Sequence, residues 1–107
     1  MVYSENFAAG PGARLFYHAS LSNDGKQSWV QELIWDQSSN TWSPGQQFKD
    51  PVGTSQLAAV LDKDRNELRL FYCTGNCNIA ESKLDITDAT NNYTKGTLWC
   101  TVLLLSL

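Results

Sequence analysis

The chain has 107 residues, a net charge of −3 and a pI near 4.9, with 42 % hydrophobic and 18 % charged residues. That suits one small globular domain with a modest core. Its eight scattered basic residues form no nucleic-acid or anionic-membrane surface, a single histidine argues against a metal centre, and no stretch approaches the roughly eighteen apolar residues of a membrane span.

The N-terminus has no basic region followed by an apolar run, so no secretory signal is read. The expectation is a cytoplasmic or non-classically released protein. Gly10-Pro11-Gly12 marks a turn, and residues 14–20 read as an aromatic-rich strand. Ser22-Asn23-Asp24-Gly25-Lys26 reads as a hairpin turn, with Asp-Gly supplying the left-handed geometry. Residues 28–36 alternate, placing Trp29, Gln31, Leu33 and Trp35 on one face and Val30, Glu32, Ile34 and Asp36 on the other. A polar turn at 37–40 leads to a short outer strand from Thr41 that Pro44-Gly45 ends. Asp50-Pro51 and Gly53 break the link that follows. Residues 55–61 then form a strand of small apolar residues, suited to a crowded axis. After a turn at 62–66, strands at 67–73 and 78–85 repeat the earlier pair. A polar turn at 88–92 leads to an outer strand at 93–96. Residues 101–107 are the most apolar stretch and read as a buried strand or a partner-covered edge. Helical periodicity is nowhere sustained, so the fold class is all-β. Cys73 and Cys77 flank Thr74-Gly75-Asn76, where a cross-hairpin disulfide fits, but two reduced thiols suit a chain without a signal peptide better. Asn92-Tyr93-Thr94 is a glycosylation sequon that matters only in a secreted chain.

The strongest signal is a repeat. Arg14-Leu15-Phe16-Tyr17 recurs as Arg69-Leu70-Phe71-Tyr72. Each copy is followed by a glutamate in an apolar segment, Glu32 and then Glu81. Each unit closes on an aromatic three residues before a glycine, Trp42 before Gly45 and Tyr93 before Gly96. The arginines are 55 positions apart, the glutamates 49 and the glycines 51. A period near fifty fits a β-propeller blade, with one blade at about 1–52 and the next at about 53–107. Two blades do not close a ring, so the chain self-associates or belongs to a longer protein. Phe16, Phe71, Tyr17 and Tyr72 read as core. No inner strand is legible in the first unit, and residues 99–107 have no counterpart.

Arginine, then glutamate, then Trp35 three positions on, then aromatic-x-x-Gly, resembles the fungal fucose-specific lectin family and its bacterial two-blade relatives. The similarity covers about 14–45 and 55–97. The resemblance implies a six-bladed β-propeller, two four-stranded blades per chain and completion by a homotrimer. It implies binding of L-fucose or fucosylated glycans in clefts between blades, without catalysis, cofactor or metal. Arginine and glutamate come from one blade and the aromatic wall from the next. Arg69 and Glu81 would therefore face Trp35 and Trp42 of a neighbouring copy, while Arg14 and Glu32 would face Leu84 and Tyr93. With no Trp in its wall, the second of these sites is expected to be weak or altered. The Arg-to-Glu spacing is 18 in the first unit and 12 in the second, so the longer hairpin is also expected to reshape that cleft.

The chemistry fits the residue types. A guanidinium only donates and a carboxylate only accepts, so the pair complements adjacent sugar hydroxyls through charge-assisted bonds of roughly 1.5–3 kcal/mol each. A Trp face matches the methyl and C–H surface of a deoxy sugar. Two other classes compete. A protein-binding propeller scaffold needs no doubled Arg and Glu. A sialidase-like glycosidase is suggested by Ser22-Asn23-Asp24-Gly25-Lys26-Gln27-Ser28-Trp29, which departs from the Asp-box of such propellers at Lys26. A retaining glycosidase also needs a carboxylate pair around one bond.

Overall fold

The computed structural model describes residues 1–20, 28–49, 56–74, 78–96 and 99–100, and among them every regular element is a strand. The first sheet is an antiparallel meander of β1 (Val2–Ser4), β2 (Gly12–Ser20), β3 (Ser28–Asp36) and β4 (Thr41–Phe48). The second runs β5 (Leu57–Asp62), β6 (Glu67–Cys73) and β7 (Asn78–Asp85). Its outer position is shared by β8 (Thr94–Lys95) and β9 (Trp99–Cys100), both on the free edge of β7. The expected turns at Ser22 to Lys26, at Asp50-Pro51 and Gly53, and at Gly75 to Cys77 lie outside the described residues, as does the segment 101–107. So do the Asp-box comparison and the pairing of Cys77.

The repeat holds at the level of register. Arg14 stands opposite Ile34 and Phe16 opposite Glu32; Arg69 stands opposite Lys83 and Phe71 opposite Glu81. The longer Arg-to-Glu spacing of the first unit therefore leaves the pairing of Arg and Glu unchanged. The extra residues fall beyond the Ser20–Ser28 pair. The first unit does have an inner strand: β1 sets Val2 opposite Arg14 as β5 sets Val60 opposite Arg69. Its three residues are too few to show alternation in sequence. The turns that follow also match. Ser4 Oγ accepts from the Asn6 N–H at 3.0 Å, and Asp62 Oδ1 accepts from the Asp64 N–H at 3.1 Å. Trp99 also has a counterpart, standing opposite Ile79 where Phe48 stands opposite Val30.

The outer strand of the first unit does not end at Pro44-Gly45 but runs to Phe48. Pro44 is tolerated because β4 is an edge strand, so the missing N–H breaks no ladder bond. The register slips between Gln31 and Leu33, so that Gly45 and Gln46 together face Glu32. This is a β-bulge, which re-aims the backbone locally. The Gln31 side-chain amide donates to Glu32 O at 2.9 Å, satisfying a carbonyl that the disrupted ladder leaves over.

The sheets stack face to face, and the repeated tetrapeptide contributes opposite halves of itself. In the first sheet Arg14 and Phe16 point into the stack; in the second Leu70 and Tyr72 do. Tyr72 is buried at 3 % exposure while Tyr17, on the other face of its sheet, is 42 % exposed, so Tyr17 is not core. Phe71 shares the outward face of the second sheet with Arg69 and Glu81. Val2, Val30 and Phe48 meet Leu68, Leu70, Tyr72, Leu84 and Ile86 in the core, with Phe16 touching both of its clusters. Phe48 lies edge-on to Tyr93, with ring centres 5.0 Å apart. Each fully buried aliphatic side chain here contributes about 1.5–3 kcal/mol.

Candidate functional site

Glu32 lies wholly inside the stack, at 0 % exposure. A charge there requires partners, and four groups supply them. The Gln46 N–H, turned inward by the bulge, donates to Oε1 at 3.0 Å, and Asn91 Nδ2 donates to the same oxygen at 2.9 Å. The Tyr93 hydroxyl donates to Oε2. Arg14 Nε lies 3.2 Å from Oε2, out of line for a hydrogen bond, so this contact acts as an ion pair. Asn91 also accepts from Arg14 Nη2 at 3.3 Å, and the guanidinium carbon lies 4.2 Å from the centre of the Phe7 ring. Burial first, then the negative charge of Glu32 and the bond to it, push the Tyr93 phenol well above its ordinary pKa.

The structure thus brings Arg14, Glu32 and Tyr93 together, but as a closed network joining two sheets. Tyr93 is a hydrogen-bond donor to the carboxylate rather than an aromatic wall, and Leu84 is buried in the core beside it. Asn91 and the Gln46 amide were not legible as members. The available signal was positional: Asn91 precedes Gly96 by the same five residues by which Asn40 precedes Gly45. Both asparagines adopt positive φ, 50° and 52°. Asparagine is among the few side chains that adopt this backbone readily.

The second arginine has a different neighbour. Arg69 Nε donates to Glu67 Oε1 at 2.6 Å, which raises the guanidinium pKa; Glu81 and Asp62 add longer-range attraction. The position matching Glu67 in the first unit is Gly12, so Arg14 has no such rival for its own glutamate. Glu67 and Arg69 are two apart on one strand, hence on one face, a relation readable in the sequence. Glu81 is covered by Gly96, whose N–H donates to Glu81 O at 2.7 Å. A Cβ on Gly45 or on Gly96 would collide with the Glu32 or the Glu81 carboxyl respectively, so each repeat glycine is the space its glutamate occupies.

Trp35 and Trp42 are cross-strand partners on the outward face of the first sheet, with ring centres 6.4 Å apart and planes tilted by 40°. Trp42 is 48 % exposed. Trp35 Nε1 donates to Asn40 Oδ1 at 3.3 Å. Within one chain this pair and Arg69/Glu81 lie on opposite outer faces of the stack and do not meet. Equivalent positions also differ in burial according to whether a sheet covers them: Val2 is 9 % exposed and Val60 53 %. Comparison with protein-family models, curated proteins and solved structures finds no match to this chain.

Proposed function

We propose that the chain is a non-catalytic lectin that binds L-fucose or fucosylated glycans between blades of a ring made by self-association. Each chain supplies two four-stranded blades, and three copies complete a six-bladed propeller. The reading rests on the doubled residues and their register, not on kinship. Its main support is the way the two sheets join inside the chain. The back of the second sheet covers the Arg14/Glu32 face of the first. The Arg69/Glu81 face of the second sheet and the Trp35/Trp42 face of the first are the same two kinds of surface with no sheet laid over them, although Glu81 itself is only 8 % exposed beside Gly96. Applying the internal relation once more sets Trp35 and Trp42 of one copy over Arg69 and Glu81 of the next.

At that junction Trp42 takes the place of Tyr93 and Trp35 that of Leu84. An indole has no hydroxyl with which to close the carboxylate, and it presents a flat apolar face instead. A sugar then donates hydroxyls to Glu81, accepts from Arg69 and lays its C–H surface on Trp. In the intrachain equivalent both Glu32 oxygens already accept hydrogen bonds from Gln46, Asn91 and Tyr93, so each chain offers one open site. Calorimetric titration with L-fucose, against galactose and sialic acid, tests the reading. Heat with fucose at one site per chain supports it; no heat with any fucoside at millimolar sugar overturns it. Light scattering tests the ring, and a monomer at all concentrations removes it.

A further inference from the structure

We propose that Asn40 of one copy is a positioning residue for the Arg69/Glu81 site of the next, bridging the guanidinium and the carboxylate as Asn91 bridges Arg14 and Glu32 within the chain. The inference deepens the lectin reading and rests on its assembly.

Three observations carry it. The register places Asn40 and Asn91 at the same point of the repeat, five residues before the repeat glycine. The shared left-handed backbone, with φ of 52° and 50°, directs both side chains from the same kind of turn. Asn91 shows what the position does when covered: one amide donates to Glu32 at 2.9 Å and accepts from Arg14 at 3.3 Å, across the gap between sheets. A carboxamide does this with two separate atoms, donating from its nitrogen and accepting at its oxygen. Asn40 is exposed in the single chain, and its oxygen already accepts from Trp35 Nε1, which ties it to the aromatic wall.

The consequence is a division of labour at Glu81. Within the chain, Asn91 and Tyr93 together close both oxygens of Glu32. Between copies Asn40 closes one oxygen of Glu81, while Trp42, lacking a hydroxyl, leaves the other to the ligand. Asn40 therefore fixes the carboxylate against the sugar without touching the sugar itself.

The test uses three variants in the full chain, each read by sedimentation equilibrium and by fucose calorimetry. Asn40→Gly keeps the left-handed turn and removes the amide. Asn40→Asp keeps the shape and sets a second carboxylate against Glu81. The third is Asn40→Asp with Glu81→Gln. Loss of one charge-assisted bond predicts about tenfold weaker association for Asn40→Gly. Asn40→Asp is weaker still, and Glu81→Gln restores association to the Asn40→Asp chain, a rescue that a merely structural turn residue would not show. Thermal unfolding of the isolated chain is unchanged by Asn40→Gly, whereas Asn91→Gly lowers it. If wild type associates and binds fucose but Asn40→Gly and Asn40→Asp associate equally well, the role of Asn40 is wrong and the lectin reading stands. If wild type is a monomer that binds no fucoside, both fall together.

Discussion

At the scale of single residues, the difference between the sealed junction inside the chain and the open one of the proposed ring comes down to a hydroxyl. Tyr93 donates to Glu32 across the stack, and Trp42 at the matching place cannot. Tyr93→Phe leaves the buried carboxylate one donor short, which predicts a loss of about 1–3 kcal/mol in a urea titration followed by circular dichroism. The same phenol makes stability depend on alkaline pH. Its pKa is raised in the folded chain above the ordinary value of 10.0. The stabilisation is therefore complete below about pH 10 and drains as pH rises further, because the unfolded chain ionises first. Unfolding midpoints measured from neutral to strongly alkaline pH should show a smaller alkaline loss in Tyr93→Phe than in wild type. Of this chemistry the sequence displayed the arginines, the glutamates and the aromatics. The repeat assigned each arginine to its own glutamate, whereas Arg69 turns to Glu67, a same-face neighbour two residues away that the first unit lacks.

At the scale of elements, the alternation of residues 28–36 is legible because β3 runs unbroken for nine residues, although burial does not follow it: Val30, Gln31 and Glu32 are buried in succession. Strands of three or two residues carry no such pattern: β1 and β9 show only in their ladders, whereas β8 falls within the outer strand read at 93–96 from its place in the repeat. Pro44-Gly45 reads as a stop by composition, yet on an edge strand it marks a bulge, and the bulge delivers the Gln46 N–H to Glu32. Gly45→Ala and Gly96→Ala make a paired test. Both force a methyl against a glutamate, but Glu32 is held by four partners and has nowhere to move. Gly45→Ala should lower the unfolding midpoint more than Gly96→Ala. On the lectin reading the latter should chiefly weaken fucose binding, measured by calorimetry.

At the scale of the whole molecule, the repeat announced two similar units but not how they join. Identical tetrapeptides turn opposite halves toward one core because stacked sheets meet front to back, and no property of Arg-Leu-Phe-Tyr specifies which half goes inward. The same front-to-back relation leaves one apolar face open at each end of the pair, Val60 and Phe71 at one and Tyr17, Trp35 and Trp42 at the other. Val60→Asp should leave the unfolding of a dilute chain within about 0.5 kcal/mol of wild type, as exposed substitutions do. On the proposed ring it should abolish concentration-dependent growth in mass by light scattering, and with it the rise of melting temperature with concentration that association produces.

Within each meander, neighbouring strands are joined in sequence order, so the ladders of β1 to β4 and of β5 to β7 close short loops. Distant contacts are concentrated at the junction between sheets, where Asn91 and Tyr93 reach Glu32 across 59 and 61 positions. Contacts of high sequence separation carry the larger closure entropy and form late. Refolding is therefore expected to build each sheet from its own hairpins before the two dock. In stopped-flow measurements Tyr93→Phe should mainly accelerate unfolding, with little change in the refolding rate. The glutamate that looked like a ligand group in the sequence thus acts in the first unit as a latch, and its loss is felt in how long the folded chain lasts.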